Sequence, residues 1–365
     1  MIPAPKALIA EITHRCPLHC VYCSNPVAMQ TAELSTEAWK RVISEAAALG
    51  CWHLHLTGGE PLARTDTAEL VHAAREAGLY VNLITSGIGL SVERLQSLVD
   101  AGLDHIQLSF QDSREEGAQA FSGTRAHAYK LEAAARIRQH RIAFTINMVV
   151  HRGNLDHLEE LIALAEELKA DKLEIAHVQY YGWALENRDR LLPTRAQLEN
   201  SVAIVTAARE RLNGKMRIDF VLPDYYAKYP KACMGGWGQG LLLIDPAGRV
   251  MPCHAAAGIP GIRFDSVEEH PLRWIWENSE AFTRFRGDDW MQEPCRSCDR
   301  KALDFGGCRC QAMLLAGDPA ATDPVCSKSP QRHIVDTILE AANSGVVEPP
   351  QPVPTGEGWV YRINT

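Results

Sequence analysis

Short apolar segments alternate with longer amphipathic segments through the first half of this chain of 365 residues, and this alternation restricts the possible folds. The apolar segments, which we predict to be strands, span residues 7–12, 53–57, 80–85, 105–109, 143–149 and 172–176. The predicted helices between them span residues 35–49, 67–77, 91–101, 126–140 and 155–168. Strands that alternate with helices predict an α/β fold with a parallel sheet covered by helices. Periodicity alone leaves both an open barrel and a doubly wound sheet possible.

A group of three cysteines, Cys16-Pro-Leu-His-Cys20-Val-Tyr-Cys23, follows the first predicted strand. An iron–sulfur cubane normally takes four protein thiolates, and no fourth cysteine follows until Cys51. The trio therefore predicts a cluster with one open iron, in the way that catalytic metal sites keep an open position. A zinc-binding turn is the alternative, although such a turn usually has a second pair of ligands close by in sequence.

The composition argues against several other classes of protein. The net charge of −8 argues mildly against a nucleic-acid backbone as partner, and no apolar run approaches the ~20 residues of a membrane span. The segment 1–6 is too short and too interrupted by proline for a signal peptide, so we expect a cytoplasmic protein. Eleven cysteines in such a protein predict metal ligation rather than disulfides, because the cytosol keeps thiols reduced.

Seven of the cysteines lie between residues 233 and 326, which predicts a second metal-binding region. The candidate ligands are Cys233, Cys253, Cys295, Cys298, Asp304, Cys308, Cys310 and Cys326. These residues divide evenly into two sites of four ligands. A zinc knuckle made of Cys295-x2-Cys298 and Cys308-x-Cys310 is the alternative on spacing alone, but it would leave the other three cysteines without a role.

The three-cysteine spacing, with Tyr22 before the last cysteine, resembles the signature of radical S-adenosylmethionine (SAM) enzymes. Thr57-Gly58-Gly59-Glu60-Pro61, which follows the second predicted strand, resembles the GGE motif of the same family. The resemblance implies a partial (β/α)6 barrel of the TIM type, with a [4Fe-4S] cluster held by the three cysteines. SAM would chelate the open iron, and one electron from the cluster would split SAM into methionine and a 5′-deoxyadenosyl radical.

Such a barrel places its catalytic groups at the carboxyl ends of the strands, and the candidate SAM contacts lie there. They are Tyr22, Gly58, Gly59, Glu60, Ser86, Ser109 and Asn147, and the resemblance implies that Glu60 meets the SAM amino group. His14 either lines the pocket or is an ordinary packed histidine. The general base is unknown: His14, His177, Tyr180 and Tyr181 lie near strand ends, where a structural role is more common.

The second cysteine-rich region resembles the SPASM extension of radical SAM enzymes that modify peptides, and this extension carries auxiliary iron–sulfur clusters. Asp304 stands where the family has a cysteine, and Cys310 is an additional thiol. The resemblance and the chain order assign Cys295, Cys298, Asp304 and Cys326 to one auxiliary cluster, and Cys233, Cys253, Cys308 and Cys310 to the other. We therefore expect a radical SAM core over residues 1–215, a SPASM module over 216–343 and a proline-rich tail over 344–365.

Asp304, Cys310 and the run Gln179-Tyr-Tyr-Gly-Trp-Ala-Leu-Glu-Asn187 resemble one branch of this family, the peptide cyclases of pyrroloquinoline quinone biosynthesis. The resemblance implies a carbon–carbon cross-link between a glutamate and a tyrosine of a PqqA-like precursor peptide. It also implies a PqqD-like peptide chaperone, bound by the region after the barrel, and a reducing electron donor such as a flavodoxin. Another SPASM maturase, sulfatase-maturating or thioether-forming, is the alternative, followed by a metal-bound protein without enzymatic activity.

Two further segments lie outside these motifs. Cys51 opens a predicted strand, and we expect it to be a buried thiol that packs as a small apolar side chain. Residues 345–354 are rich in proline, and we expect them to be extended or disordered. Residues 358–363 could add a strand or dock on the protein, but we expect them to hang free, as chain termini usually do.

Overall fold

The computed structural model describes residues 2–344 and 358–364, and the predicted extended or disordered segment 345–354 lies outside these described residues. The strands in the described residues are β1 Ala7–Thr13, β2 His53–Gly58, β3 Tyr80–Thr85, β4 His105–Phe110, β5 Ala143–Val150, β6 Lys172–His177, β7 Arg217–Val221, β8 Leu241–Ile244 and β9 Val250–Met251. They form one sheet in the order β7-β6-β5-β4-β3-β2-β1-β8-β9.

The order of the strands identifies the winding of the sheet. Strands β1 to β7 follow one another across the sheet in chain order, and each pairs with the next in parallel. A doubly wound sheet reverses its strand order at a switch point, and this sheet has no such reversal between β1 and β7. The winding is that of a (β/α) barrel left open. The predicted fold class, a partial barrel of the TIM type, is confirmed.

Helices between β1 and β7 cover one face of the sheet, and further helices follow β9. In the described residues they are α1 Thr36–Leu49, α2 Thr67–Glu76, α3 Val92–Asp100, α4 Glu115–Ser122, α5 His127–Ile137, α6 Leu158–Glu167, α7 Trp183–Glu186, α8 Arg188–Leu191, α9 Arg195–Arg211, α10 Leu272–Asn278, α11 Glu280–Thr283, α12 Lys301–Asp304, α13 Arg309–Ala316 and α14 Arg332–Asn343. Within residues 2–344 and 358–364, none of them combines the length and the apolar character that crossing a bilayer requires.

Local sequence signals fix the ends of several helices. The Ser35 side chain accepts a hydrogen bond from the backbone N–H of Ala38 at 3.2 Å, so Ser35 caps the start of α1. Gly50 ends the same helix with a φ of 114°, a conformation that glycine adopts without steric cost. Such signals explain why the predicted helix and the observed helix agree.

Strands β7, β8 and β9 were not predicted, and they tie the later part of the chain to the barrel. Strand β7 pairs with β6, and β8 pairs with β1, both in parallel. Strand β9 runs antiparallel to β8. Residues that we assigned to the SPASM module therefore extend the sheet at both of its ends.

The two faces of the sheet differ in chemistry. Large apolar side chains on the helix-covered face are fully buried, and they include Leu8, Ile12, Leu54, Leu56, Val81, Leu83, Ile106, Phe144, Ile146 and Leu173. Side chains on the opposite face are mostly polar and half-buried, and they include His53, His55, His105, Gln107, Ser109, Asn147, Lys172 and Glu174. The strands thus alternate in polarity, whereas we predicted nearly continuous apolar strands, and the inner face of the open barrel is polar.

Cys51 lies where the sequence predicted it to lie. Its side chain is buried in the apolar cluster that also contains Leu54 and Trp39. Burial raises the pKa of this thiol to about 12, so the side chain is neutral at physiological pH. The prediction of a buried, apolar thiol is confirmed.

Two histidines on the polar inner face lead to a prediction about pH. The ring of His55 lies 4.1 Å from that of His53 and 3.1 Å from the amide of Asn82, and His105 is 2.8 Å from the hydroxyl of Thr145. Burial lowers the pKa of both His55 and His105 to about 4, below the value of roughly 6.5 in an unfolded chain. Between about pH 4 and pH 6.5, the native state therefore binds fewer protons at these two histidines than the unfolded state does.

We expect the stability that these histidines support to be complete above pH 6.5 and to be lost as the pH falls toward 4. Around His105, Lys172 lowers its pKa further, while Asp104 and Asp171 oppose the shift. The double substitution His55→Gln and His105→Gln should reduce the difference in the free energy of unfolding between pH 7 and pH 5, measured by urea denaturation. Contributions common to both proteins cancel in this comparison. An unchanged pH dependence would contradict the prediction.

Candidate functional site

The three cysteines of the N-terminal group lie on the loop after β1, at the carboxyl end of the sheet. This loop, residues 14–35, is called the cysteine loop below. They line one cavity of about 260 Å³. The other residues that line it are Leu18, Tyr22, Ser24, Asn25, Thr57, Gly58, Gly59, Ile84, Thr85, Ser86, Ser109, Gln111, Val149 and Arg362. Because the ends of β2, β3, β4 and β5 all contribute, the cavity lies where this fold places catalytic groups.

The chemistry of the three thiols fits a metal cluster. Burial raises the pKa of Cys16 to about 11 and that of Cys20 to about 12, and it also raises the pKa of Cys23. Without a metal these thiols stay protonated, whereas coordination to a metal ion removes the proton from a thiol. The lining of the cavity contains three thiols and no fourth. This donor set fits a cubane that keeps one iron open.

The glycines of the GGE motif allow the second strand to pack closely against the cysteine loop. A Cβ atom on Gly58 would overlap the carbonyl oxygen of Thr13, and one on Gly59 would lie 2.6 Å from the carbonyl oxygen of His14. The backbone N–H of Gly59 donates to the carbonyl oxygen of Thr13 at 2.7 Å. Glycine is therefore needed at these positions for the packing of the protein itself, since only glycine lets the two backbones approach this closely.

Glu60 is buried behind the wall of the cavity. Its carboxylate accepts hydrogen bonds from the hydroxyl of Thr85 at 2.6 Å, from the backbone N–H of Ser86 at 2.7 Å and from the hydroxyl of Ser86 at 2.5 Å. It also accepts from the backbone N–H of Leu62 at 3.0 Å. These bonds fix the carboxylate at the ends of β2 and β3, next to Gly59, which lines the cavity.

The remaining predicted SAM contacts divide into two groups. Tyr22, Ser86 and Ser109 line the cavity together with Gly58 and Gly59. Asn147 is on the inner face of β5, two residues deeper than Val149, and is not among the lining residues. His14 also lies outside this lining: its ring contacts Glu11 at 3.2 Å and accepts from the backbone N–H of Gln30 at 2.9 Å. It is a packed histidine, the second of the two interpretations.

The segment after β6, residues 179–187, packs against the cysteine loop. A Cβ atom on Gly182 would overlap the carbonyl oxygen of Asn25 and would lie 3.1 Å from that of Cys23. The buried amide of Asn187 donates to the carbonyl oxygen of Val21 at 2.8 Å. The same segment includes Tyr181, discussed below, and Tyr180, which is buried in an apolar cluster. It was prominent in the sequence, but its contacts with the cysteine loop were not predicted.

Of the other residues considered as bases, His177 and Tyr180 are buried and Tyr181 is half-buried. Among the described residues, neither ring nitrogen of His177 has a hydrogen-bond partner, and burial lowers the pKa of this ring to about 3. Burial also raises the pKa of Tyr180 and Tyr181 well above the ordinary value. None of the three lines the cavity described above.

The end of the described chain, residues 358–364, packs onto the cysteine loop, so the prediction of a free terminus is wrong. Trp359 is buried, and its ring lies 6.1 Å from that of Phe121. Arg362 is 3% exposed and lines the cavity. Nothing in the local sequence of this segment indicates these contacts, because its partners, Phe121 among them, lie far earlier in the chain.

The predicted auxiliary ligands Cys233, Cys253, Cys308 and Cys310 lie close together in the structure. The sulfur atoms of Cys253 and Cys310 are 3.8 Å apart, and the thiol of Cys308 forms hydrogen bonds with the thiols of Cys233 and Cys310. The hydroxyl of Tyr181 lies 3.1 Å from the sulfur of Cys308. Hydrogen bonds from Cys233, Cys310 and Tyr181 hold the pKa of the Cys308 thiol well below its ordinary value, which favours the thiolate that a metal requires.

The other predicted auxiliary ligands line a separate pocket. Cys295, Cys298, Asp304 and Cys326 share this pocket with Thr322 and Lys328. The ammonium group of Lys328 lies 3.4 Å from the sulfur of Cys298, and the hydroxyl of Thr322 lies 3.4 Å from that of Cys295. Because the pairs Cys295/Cys298 and Cys308/Cys310 belong to different groups, a zinc knuckle built from these four cysteines does not fit.

Asp323 connects the two auxiliary groups and was missed in the sequence. It is fully buried and accepts hydrogen bonds from the backbone N–H of Cys308 at 2.8 Å and of Val325 at 3.0 Å. The amide of Gln311 donates to it as well, at 2.8 Å. Both oxygens are engaged, so Asp323 orders the backbone beside Cys308 and Cys326 rather than offering a free ligand atom. No pattern in the sequence separates it from the other aspartates.

Comparison with known protein families agrees with both parts of this site. The model of the radical SAM superfamily matches residues 10–165, and that of the SPASM iron–sulfur cluster-binding domain matches residues 233–299. Members of these families use SAM and a [4Fe-4S] cluster, and the SPASM domain binds auxiliary iron–sulfur clusters.

Two solved structures share the fold. The SAM-bound SuiB of Streptococcus suis superposes with a TM-score of 0.71 at 18% identity, over 88% of this chain and 77% of SuiB. The structure titled anSMEcpe with bound AdoMet has a TM-score of 0.65 at 16% identity, over 93% of this chain and 96% of that protein. At this identity the likeness supports the fold alone.

Curated relatives are much closer in sequence. This chain is 56% identical to the PqqA peptide cyclase of Ruegeria pomeroyi over 347 residues, 94% of this chain and 93% of that protein. It is 52% identical to the PqqA peptide cyclase of Methylobacterium nodulans over 351 residues, 95% of this chain and 93% of that protein. The chain therefore belongs to the PqqA peptide cyclase family, whose members are radical SAM enzymes with a SPASM domain.

Proposed function

We propose that this enzyme forms a carbon–carbon bond between a glutamate and a tyrosine of a PqqA-like precursor peptide, an early step of pyrroloquinoline quinone biosynthesis. The relatives named PqqA peptide cyclase carry this proposal, since they share more than half of its residues over more than nine tenths of its length. The reaction removes a hydrogen atom from the γ carbon of the glutamate, and a proton and an electron from the tyrosine ring. The product is lighter than the peptide by two hydrogens.

The cavity at the carboxyl end of the sheet is the proposed radical SAM site. Cys16, Cys20 and Cys23 would hold the cluster, which with SAM supplies the radical that starts the reaction. Tyr22, Gly58, Gly59, Ser86 and Ser109 would contact SAM, and their place in the lining supports this role. Asn147 and Glu60 would act from beside the cavity, and the bonds that Glu60 accepts from Ser86 support a role in positioning that serine.

The polar inner face of the barrel is the proposed binding surface for the peptide. Half-buried side chains such as Gln107, Lys172 and Glu174 offer hydrogen bonds and charges along it. A peptide bound along this face would also keep bulk water away from a reactive carbon radical. The chain's own residues thus bind and orient the peptide, while the cofactors supply the electron-transfer chemistry.

The auxiliary sites are proposed to receive the electron that the tyrosine ring gives up. Cys233, Cys253, Cys308 and Cys310 would hold one cluster, and Cys295, Cys298, Asp304 and Cys326 the other. Tyr181 supports a connection to the first, because its hydroxyl contacts Cys308 while its segment contacts the cysteine loop. We retain residues 1–215, 216–343 and 344–365 as the proposed core, SPASM module and tail.

The proposed partners are a PqqD-like chaperone, which would present the peptide to the region after the barrel, and a reducing donor such as a flavodoxin. We expect the enzyme to work in the cytoplasm, because its many thiols require a reducing compartment. If deleting the SPASM module left the affinity for the PqqD–PqqA complex unchanged, the assigned binding region would be wrong.

Anaerobic incubation of the reconstituted enzyme with dithionite, SAM, PqqA and PqqD tests the proposed function, with mass spectrometry as the readout. A PqqA product lighter by two hydrogens is the expected result, and tandem fragmentation should place the cross-link between the glutamate and the tyrosine. Formation of 5′-deoxyadenosine with an unmodified peptide would indicate another SPASM maturase. The absence of SAM cleavage would contradict the radical SAM assignment itself.

Asp304 offers a direct test of the auxiliary ligands. One of its oxygens accepts from the backbone N–H of Gly306 at 3.1 Å, and the other lies 3.6 Å from Arg300. Asp304 lines the same pocket as the three cysteines of its predicted ligand set. We expect Asp304→Ala to change the iron content or the EPR spectrum of one auxiliary cluster. The matched control is Asp289→Ala, at an exposed aspartate of the same module. Identical spectra for Asp304→Ala and the wild-type enzyme would exclude ligation by this carboxylate.

A further inference from the structure

Residues 358–364, which we call the C-terminal strap, cross the cysteine loop and bond to its backbone. The ring of His19 contacts the carbonyl oxygen of Arg362 at 2.8 Å, and the backbone N–H of Arg362 donates to the carbonyl oxygen of His19 at 3.3 Å. The amide of Asn364 donates to the carbonyl oxygens of Cys16 and Leu18, at 2.5 and 3.0 Å. The strap thus holds the stretch of loop between the first two cysteines.

A second set of contacts anchors the strap to the protein. Asn187, on the segment after β6, exchanges two hydrogen bonds with the backbone of Val360, at 2.7 and 2.9 Å. The hydroxyl of Tyr361 donates to the carbonyl oxygen of Ala120, at the end of α4. The buried Trp359 packs on Phe121 and under the guanidinium of Arg190. Asn187 also bonds to the cysteine loop, so strap and loop share one support.

Arg362 extends from this strap to the cysteines. Its guanidinium donates to the carbonyl oxygen of His14 at 2.5 Å, lies 3.6 Å from the sulfur of Cys23 and 3.2 Å from that of Met29. In the part of the chain that the structure describes, its Nε has no hydrogen-bond partner. Within the described residues, no carboxylate forms an ion pair with it. A buried cation without an anionic partner is expensive, so this charge requires an anion nearby.

The three cysteines would supply that anion. Three thiolates around a [4Fe-4S] core of charge 2+ give a net charge of about −1, and one-electron reduction makes the cluster more negative by one. A buried positive charge at this distance favours the more negative, reduced state.

We propose that the C-terminal strap completes the radical SAM site, by closing the cysteine loop and by placing Arg362 as the buried positive charge that balances the cluster. Arg362 is a positioning residue that raises the reduction potential of this cluster. The inference rests on the proposed assignment of the cluster to Cys16, Cys20 and Cys23, and it adds a residue and a segment outside both motifs of that assignment.

A redox titration monitored by EPR tests whether the charge of Arg362 raises the reduction potential of the N-terminal cluster. The full-length enzyme is reconstituted anaerobically, and the N-terminal cluster is identified as the signal that SAM perturbs and that a Cys20→Ala variant lacks. We expect Arg362→Gln to shift the midpoint potential of this signal to more negative values and Arg362→Lys to restore most of the shift. The matched control is Ile363→Gln, since Ile363 is 74% exposed on the same strap. The auxiliary signals should not move.

Each other outcome of this titration decides a different question. If Arg362→Gln titrates like the wild-type enzyme, or if Arg362→Lys behaves like Arg362→Gln, the proposed role of the charge is wrong. If the wild-type enzyme shows no signal that SAM perturbs, the radical SAM assignment fails instead, and the strap is not the cause.

The closing role of the strap is tested separately with Trp359→Ala, which removes the anchor and keeps Arg362. We expect iron to leave the N-terminal site at least about tenfold faster in the presence of a chelator, because the loop opens more often when its cover is loosened. Iron release from the auxiliary sites should stay unchanged, and Ile363→Ala should behave like the wild-type enzyme. Equal rates for Trp359→Ala and the wild-type enzyme would overturn the proposal that the strap closes the loop.

Discussion

Replacing Cys20 with alanine is expected to abolish the cleavage of SAM, measured as 5′-deoxyadenosine formed with dithionite under anaerobic conditions. Cys20 is the central member of the three-cysteine group, and it lines the cavity together with Cys16 and Cys23. Two thiolates cannot hold a cubane that normally has four protein ligands and here has three. The same loss is expected for Cys16→Ala and Cys23→Ala, while the EPR signals of the auxiliary clusters should persist.

Cys51→Ala is the matched control for this experiment. The chemical change is identical, but Cys51 is buried just before β2, at the end of the sheet opposite the cavity, and does not line it. We expect it to lower the free energy of unfolding by about 1 kcal/mol and to leave SAM cleavage intact. A Cys20→Ala variant that cleaves SAM at the wild-type rate would refute the assignment of the cluster.

Replacing Gly182 with alanine should have the second largest effect, loss of the N-terminal cluster without loss of the fold. Gly182 has a φ of 52° and a ψ of −133°, a backbone conformation that only glycine adopts without strain. An added Cβ would also overlap the carbonyl oxygen of Asn25, so the cysteine loop or the segment after β6 must shift. Iron content and the signal that SAM perturbs measure the loss.

Gly214→Ala separates the steric effect from the cost of the backbone conformation. Gly214 also has a positive φ, 77°, but a Cβ atom there would meet nothing within 4 Å. We expect this control to lose about 1 kcal/mol of stability and to keep full iron content. If Gly182→Ala retained the N-terminal cluster as Gly214→Ala does, the packing of this segment would not be needed to shape the loop.

Much of the fold could be predicted because the determining signals are local. Residues 80–85 are predicted and observed as β3, and Ser35 and Gly50 mark both ends of α1. The elements that were missed lack such signals. Strand β8 has four residues and β9 has two, and both exist because β8 pairs with the edge of β1. Helix α4, whose end bonds to the cysteine loop, has no capping side chain.

The candidate site divides in the same way. The cysteines and the two glycines could be recognised, since their spacing along the chain is itself the signal. Asn147 was placed too close to the cavity, because sequence gives the face of a strand but not the depth of a residue along the barrel. Arg362 and Asp323 were missed, because each is defined only by distant partners that folding brings to it. The ligand assignments for the three clusters stay predictions until the iron is located.

The position of the strap also has a consequence for the order in which the protein matures. His19 and the carbonyl oxygen of Arg362 are 343 residues apart in sequence, and contacts of such separation form late, because they close the longest loops. We therefore expect strands β1 to β7, each of which pairs with the next along the chain, to form first, with Cys16, Cys20 and Cys23 still uncovered at their carboxyl end. Pulsed hydrogen exchange during refolding would detect this order. We expect iron and sulfide to reach the cysteines in this interval, before the strap docks and ties down the stretch of loop between Cys16 and Cys20.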